Sequence, residues 1–217
     1  MSYTSTSAPS TGRFIVFEGL DGAGKTTQLR LLENRLRGAG RRVHCTAEPT
    51  SSAIGGLIRD SLSGNHPRCA EELAALFLAD RIAHNADPIR GFGRLLDAGE
   101  DVLCDRYDYS SFAYQGAETD LDWVLEMHLR CPAIRRPDLC VYLDLEPAAA
   151  VARIRQGRDN LEVYENEGKL AQARARYFHV FQLLRARGER ICVVDADAPE
   201  AEVHRRVCAA VEPLLET

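Results

Sequence analysis

The sequence predicts an α/β protein, a three-layer sandwich in which a five-stranded parallel sheet lies between two layers of helices. Two observations lead to this fold class. Five short apolar segments rich in β-forming residues alternate with segments whose apolar residues recur at helical spacing, a pattern typical of a parallel sheet covered on both faces. One of these segments, LCVYLDL at 139–145, is apolar almost throughout, as expected for a strand buried on both sides.

Each element follows from this periodicity and from glycine or proline at its ends. The predicted strands are 13–18, 42–47, 101–104, 139–145 and 190–194, and the predicted helices are 26–38, 53–63, 70–98, 110–130, 147–156, 165–187 and 200–215. Open sheets of this kind bind ligands beyond the carboxyl ends of their strands. The sequence therefore predicts that one edge of the sheet brings together Glu18, Gly19, Ala47, Glu48, Asp105, Arg106 and Asp144.

Length and composition indicate one ordinary globular domain. The chain has 217 residues, of which 45% are hydrophobic and 27% charged, and no repeat or linker divides it. We expect a disordered polar tail at 1–12 and a single domain at 13–217. Residues 156–168 are polar and charged and lie between two predicted helices. They are either a solvated connection or a mobile lid.

Net charge and cysteine content indicate which classes of partner and which cellular compartment to expect. The net charge of −5 argues against binding to nucleic acid or to an anionic membrane surface. The chain has no apolar run of the ~18 residues that a spanning helix needs, and its first residues lack the apolar core of a signal peptide. Seven scattered cysteines, an odd number, favour reduced thiols and therefore a cytoplasmic protein.

The strongest motif is a phosphate-binding loop. GLDGAGKT at 19–26 fits the pattern G-x-x-x-x-G-K-[ST] and lies between a predicted strand and a predicted helix, which is the context this motif requires. Glycines allow backbone amides to converge on a phosphate, and the helix N-terminus adds positive potential. We expect ATP to be bound by Gly19, Leu20, Asp21, Gly22, Ala23, Gly24, Lys25, Thr26 and Thr27.

Within this loop, Lys25 can reach the β- and γ-phosphates and the Thr26 hydroxyl can bind Mg²⁺. We expect the Lys25 side chain to face solvent until a phosphate arrives. The loop alone does not separate kinases from GTPases and motor ATPases. A guanine-recognising [NT]KxD motif is absent, because the one other lysine, Lys169, is followed by Leu-Ala.

The end of the third predicted strand adds a carboxylate and a guanidinium. Asp105 can serve Mg²⁺ or the attacking oxygen, and Arg106 can bind the phosphate of an acceptor. Glu48 and Asp21 are expected to face the same crevice, beyond the carboxyl ends of the strands. Several carboxylates and arginines around a phosphate loop suit phosphoryl transfer between two anionic substrates.

Six segments in this order and spacing resemble the thymidylate kinase family. They are FEGLDGAGKTTQ (17–28), EPT (48–50), LFLADRIAH (76–84), DRYDYSSFAYQG (105–116), RPDLCVYLD (136–144) and the lid-like RDNLEVYENEG (158–168). The resemblance implies a homodimeric enzyme that uses Mg²⁺ and ATP to convert dTMP to dTDP in dTTP biosynthesis.

The resemblance also implies a dTMP site. It assigns the thymine base to Phe77 and Arg81, with Ser110 and Ser111 along the base edge, and the phosphate to Arg106. Around the sugar and the rest of the acceptor it places Asp21, Glu48, Tyr114 and, from the lid, Tyr164. It implies a metal site at Thr26, Asp105 and Glu48. Phe77 also shares a helical stripe with Leu73 and Leu76, so core packing is the alternative explanation for this residue.

The chain departs from the family pattern at two positions. Family members often carry an arginine just before the Glu-Pro of the second strand, where this chain has Ala47. Others carry an arginine after the loop aspartate, where this chain has Gly22, so a cation from the lid is needed at the transferred phosphoryl group.

Among the lid-side arginines 153, 155 and 158, we expect Arg155 and Arg158 to supply that cation. The predicted catalytic set is then Lys25, Asp105, Arg106, Arg155 and Arg158. Because Ala47 weakens the assignment to dTMP, two alternatives stay open. One is a kinase for another deoxynucleotide or deoxynucleoside, and the other is a nucleotide-binding sensor without turnover.

Overall fold

The computed structural model of the protein describes residues 11–157 and 166–216. In these ranges the strands are β1 (Phe14–Gly19), β2 (Val43–Ala47), β3 (Asp101–Asp105), β4 (Leu139–Asp144) and β5 (Ile191–Asp195). The helices are α1 (Lys25–Gly38), α2 (Ala53–Leu62), α3 (Ala70–Ala86), α4 (Gly93–Asp97), α5 (Asp108–Glu118), α6 (Leu121–Leu129), α7 (Pro147–Gly157), α8 (Glu167–Arg185) and α9 (Glu200–Leu215).

The predicted parallel five-stranded sheet is confirmed, with strand order β2-β3-β1-β4-β5. Its register aligns the carboxyl ends of the inner strands: Phe17 and Ala47 each lie opposite Asp105, and Gly19 lies opposite Leu143. The ends of β1, β2 and β3 therefore meet at one edge of the sheet, as the sequence predicted.

Strand β1 supplies both halves of the core because alternate side chains of a strand point to opposite faces. Ile15 and Phe17 pack with α1 and α9, whereas Phe14 and Val16 pack with α5 and α8. All six residues of β1 are buried. The structure thus explains why this segment is apolar from Phe14 to Phe17.

The helix predicted at 70–98 is wrong as one element. Helix α3 ends at Ala86, a turn follows, and α4 begins at Gly93. The residue before a proline disfavours helical backbone, and Asp87 precedes Pro88. The Asp87 carboxylate then accepts the backbone N–H groups of Ile89 and Arg90 at 2.8 and 2.7 Å, which stabilises the turn. The helical region predicted at 110–130 is likewise two helices, α5 and α6.

Two sequence predictions concern residues at the limits of the described ranges. Residues 1–10 of the predicted tail and 158–165 of the predicted lid lie outside these ranges, and for them both predictions stay predictions.

The Gly12 backbone N–H donates to the Leu96 carbonyl at 2.8 Å, which joins the segment before β1 to α4. In the part of the chain that is described, no helix combines the length and apolarity needed to cross a bilayer.

Helix α6 buries a histidine next to an aromatic ring and near the charge of Arg81. The His128 side chain is 1% exposed, and its ring meets the edge of Phe112 at a centroid distance of 5.5 Å. Its Nδ1 lies 2.8 Å from the Val124 carbonyl, which can only accept, so Nδ1 carries the proton. Among the described residues its Nε2 has no hydrogen-bond partner. Burial, reinforced by the charge of Arg81, lowers the pKa of His128 to about 4.

We predict that this histidine makes the stability of the fold depend on pH. Its folded pKa is about 4 against an ordinary 6.5, so between these values the unfolded chain binds the proton and the folded chain does not. Folding should therefore lose on the order of 3 kcal/mol from this group as pH falls through that window. His128→Phe should flatten the dependence, as measured by urea unfolding of both proteins across the window. Parallel curves for the two proteins would contradict the assignment.

Candidate functional site

The phosphate loop connects β1 to α1 and depends on two glycines. Gly22 and Gly24 have φ angles of 80° and 92°, in the left-handed region that glycine adopts at low cost. A Cβ atom on Gly22 would lie 2.6 Å from the Ala150 carbonyl oxygen of α7, so a side chain has no room there. Gly24 is the N-cap of α1. The loop therefore presents the N-terminus of a 14-residue helix, which favours an anion.

The loop lysine does not face solvent, and that expectation is wrong. Lys25 is 7% exposed, and its Nζ donates to the carbonyl oxygens of Gly19 and Leu20 at 3.1 and 3.0 Å. Nζ also lies 3.7 Å from Asp21 Oδ1. Burial and the nearby charge of Arg106 lower the pKa of Lys25, while Asp21 and Asp105 oppose this shift. The ammonium group is therefore held inside the loop by partners that a phosphate can replace.

The predicted metal ligands divide into two groups. Thr26 Oγ1 donates to Asp105 Oδ2 at 2.6 Å, so a hydroxyl and a carboxylate oxygen lie side by side next to the phosphate loop. This pair fits Mg²⁺, which is usually bound through one or two protein oxygens together with substrate phosphates and water.

Glu48 does not belong to this group. Its Oε2 lies 2.5 Å from Arg81 Nη2 and 2.7 Å from Arg81 Nε, and its Oε1 lies 2.9 Å from Nδ1 of His84. Both oxygens thus already have cationic or N–H partners from α3. The metal role predicted for Glu48 is corrected to a buried ion pair with Arg81.

A cavity of about 640 Å³ opens beside the phosphate loop and contains most of the predicted acceptor site. The predicted residues that line it are Asp21, Glu48, Phe77, Arg81, Arg106, Ser110 and Tyr114. Ser111 does not line it, but its Oγ accepts from Arg81 Nη1 at 3.2 Å. Tyr164 and Arg158 lie outside the described residues. The cavity brings together residues that are far apart in the sequence, from the phosphate loop, α3 and α5.

Phe77 and Arg81 occupy one helical face of α3, one turn apart. Phe77 is only partly buried and lines the cavity, which favours a ligand contact over the core-packing alternative. Arg81 is 1% exposed, and its guanidinium lies 5.0 Å from the centroid of the Tyr107 ring. Its orientation is fixed by Glu48, Ser111 and this aromatic ring.

Arg106 joins the cavity to the phosphate loop. It has a φ of 67°, which is unusual for a residue with a side chain, and its backbone N–H donates to the Phe17 carbonyl at 2.9 Å. Its Nη2 lies 2.5 Å from Asp21 Oδ1, the oxygen that also lies 3.7 Å from Lys25 Nζ. One carboxylate therefore lies between the cation of the phosphate loop and the cation of the cavity.

The sequence argument missed further residues that line the cavity, among them Arg59 of α2 and Gln115 of α5. Gln115 could have been found, because it lies one turn after Ser111 on the same helical face. Arg59 had a weaker signal. As a lone arginine near the end of a helix it resembles a solvated charge, although the alanine at position 47 left open that another element supplies the missing cation.

The predicted lid arginines are only partly described. Arg155 is exposed on α7 and does not line the cavity. Arg153, on the same helix, donates to the Ala196 carbonyl at 3.1 Å, at the loop after β5. Arg153 is thus tied to the carboxyl edge of the sheet on the side of the phosphate loop away from the cavity.

Over most of its length the chain is similar to known thymidylate kinases. The family model described as Thymidylate kinase matches residues 17–207. A thymidylate kinase of Thermomicrobium roseum is 38% identical over 204 residues, covering 93% of this chain and 95% of that protein. One of Leifsonia xyli is 40% identical over 195 residues, covering 88% and 90%. A solved thymidylate kinase structure from Candida albicans is 23% identical, has a TM-score of 0.77 and covers 94% of this chain and 92% of its own.

Proposed function

Because the chain belongs to the thymidylate kinase family, we propose that it transfers the γ-phosphate of ATP to dTMP, giving dTDP and ADP. The observation that supports this best is the position of Asp21 between Lys25 of the phosphate loop and Arg106 of the cavity. A donor phosphate on the loop and an acceptor phosphate in the cavity would then lie next to each other. The test is a coupled assay of ADP formation with ATP, Mg²⁺ and dTMP.

In this proposal the acceptor base lies against Phe77 and near Arg81, and the acceptor phosphate binds Arg106. An oxygen of that phosphate attacks the γ-phosphorus, the new P–O bond forms, and the bond to the β-phosphate oxygen breaks to release ADP. The attacking phosphate is already ionised, so no general base is needed. Catalysis consists of positioning and charge stabilisation.

Lys25 and the metal would act on the donor. A phosphate oxygen would replace the carbonyls of Gly19 and Leu20 as partners of Lys25 Nζ, which would then follow the transferred group. Mg²⁺, held by Thr26 and Asp105, would neutralise charge on the donor phosphates. The remaining loop residues, including Thr27, would bind phosphate through backbone amides.

Arg59 offsets the alanine at position 47. Ala47 lines a second cavity next to the first, and Arg59 lines both. Arg59 Nη1 donates to the Pro49 carbonyl at 3.2 Å, which anchors the guanidinium beside the β2–α2 connection. We therefore assign to Arg59 the second cationic contact with the acceptor phosphate.

The remaining expectations concern the lid, the assembly and the location. The proposal keeps Arg155 and Arg158 as cations for the transferred phosphoryl group and Tyr164 as a lid contact. It keeps a cytoplasmic homodimer that binds neither nucleic acid nor membranes. Exposed Leu57 on α2 and Trp123 on α6, at 43% and 41% exposure, are suited to a subunit interface.

We predict that Lys25→Met abolishes phosphotransfer and leaves the fold intact. Methionine keeps most of the unbranched side chain of lysine but has no charge to stabilise the transferred phosphoryl group, so kcat should fall at least ~10²-fold. Loss of two hydrogen bonds to backbone carbonyls should cost no more than about 1–3 kcal/mol of stability. A coupled assay measures kcat, and urea unfolding measures the stability. Retained turnover would show that the lysine is not part of the reaction.

We predict that Arg59→Ala and Arg106→Ala each raise the KM for dTMP, by roughly 10-fold or more, with little change in the KM for ATP. Each removes a charge-assisted contact with phosphate, worth about 1.5–3 kcal/mol. Arg90→Ala is the control, because Arg90 is exposed and lines only the second cavity. The same assay with dUMP, dCMP and thymidine tests the alternative acceptors. A larger rise in the KM for ATP than in the KM for dTMP would show that these arginines contact ATP and not the acceptor phosphate.

We predict that the double variant Arg155→Ala, Arg158→Ala lowers kcat by at least ~10²-fold with smaller changes in either KM, because a cation at the migrating phosphoryl group acts mainly in the transition state. Steady-state kinetics with each substrate varied in turn measures this. Arg187→Ala, which removes an exposed arginine near the far end of α8, is the control. A near-normal kcat in the double variant would mean that another arginine supplies the cation.

A further inference from the structure

Beneath Arg106 lies a buried carboxylate with an unusual number of donors. Glu18, at the end of β1, is fully buried. Its Oε1 accepts the backbone N–H groups of Tyr107 and Ser110 at 2.8 and 3.1 Å. Its Oε2 accepts the Ser110 hydroxyl at 2.7 Å and the Tyr177 hydroxyl at 2.9 Å. Tyr177 belongs to α8, so it joins this helix to the end of the central strand.

The same two hydroxyl groups also contact the guanidinium. Arg106 Nη1 lies 3.1 Å from Ser110 Oγ and 3.4 Å from the Tyr177 oxygen. The guanidinium can only donate and the ionised carboxylate can only accept. Both hydroxyl oxygens therefore accept from Arg106, and at least one of the two hydroxyl protons points to Glu18, since either hydroxyl can instead donate to the other. The result is a directional chain from cation to anion through two neutral groups that lie 2.8 Å apart.

We propose that Tyr177 is a positioning residue for the acceptor phosphate: its hydroxyl, together with Ser110, fixes Arg106 Nη1 above Glu18 so that the rest of the guanidinium faces the cavity. Tyr177 itself is fully buried and does not line the cavity. It acts only through Arg106. This inference rests on the proposed function, because it assumes that Arg106 binds the phosphate of dTMP.

A neighbouring tyrosine provides a matched comparison. Tyr142 of β4 is also fully buried, and its ring centroid lies 4.9 Å from that of Tyr177. Its hydroxyl has no hydrogen-bond partner among the described residues. Removing either hydroxyl deletes one buried oxygen from the same aromatic cluster, but only the Tyr177 oxygen contacts Arg106, Ser110 and Glu18.

The experiment compares Tyr177→Phe with Tyr142→Phe in the full chain. Titration calorimetry measures the affinity of each variant and of the wild type for dTMP and for thymidine, which lacks the phosphate that Arg106 would bind. Steady-state assays add the KM for dTMP, the KM for ATP and kcat. Tyr177→Phe should weaken dTMP binding roughly 3- to 10-fold, the range expected for one hydrogen bond, and leave thymidine binding unchanged. Tyr142→Phe should change neither affinity.

The outcomes separate the inference from the proposed function. Selective loss of dTMP affinity in Tyr177→Phe, with a raised KM for dTMP and an unchanged KM for ATP, supports the positioning role. Equal affinities for dTMP in the two variants overturn it. Equal losses of affinity for dTMP and for thymidine in Tyr177→Phe also overturn it, since a general loosening of the site would affect both ligands. If the wild type does not phosphorylate dTMP, the proposed function fails first.

Discussion

Burial of the Glu18 carboxylate at the end of the central strand constrains everything around the phosphate loop. An ionised carboxylate without partners costs several kcal/mol in a protein interior. Here two backbone amides and two hydroxyls satisfy it, and they come from the β3–α5 connection with the first turn of α5 and from α8. Burial still raises the pKa of Glu18, while the charge of Arg106 and these hydrogen bonds oppose the shift. The carboxylate therefore holds two distant segments at the carboxyl edge of the sheet.

This arrangement explains how Arg106 keeps an unfavourable backbone conformation. A positive φ in a residue with a side chain costs on the order of 1–3 kcal/mol, and Arg106 has a φ of 67°. Its backbone is held by the Phe17 carbonyl, and the residue after it by Glu18. These contacts hold the strained backbone at the edge where the guanidinium reaches Asp21.

The sequence predicted best what is local. The phosphate loop with its flanking strand and helix follows from a pattern within about twenty residues, and the parallel sheet follows from the alternation of such short segments along the chain. Contacts between residues far apart in the sequence were harder to predict. Glu48 was taken for a metal ligand because its partners Arg81 and His84 lie more than thirty residues away, on α3. Lys25 was expected to face solvent because a motif specifies residue types and not the carbonyl oxygens that bind an ammonium group. The break at Asp87 could have been predicted from Pro88.

In this geometry the free energy of phosphate binding is a difference between two terms: the interactions of the cations with the phosphate, and their interactions with the internal partners that the phosphate replaces. Lys25 Nζ already has two carbonyl partners, and Arg106 Nη2 already has Asp21. An incoming phosphate gains charge-assisted hydrogen bonds but has to replace or compete with these. A dianionic phosphate can do so because its charge exceeds that of one carboxylate. A neutral hydroxyl cannot, since it would exchange an ion pair for a weaker bond. The internal partners keep the cations ordered, and in the proposed function they would also favour phosphorylated ligands at this edge of the sheet.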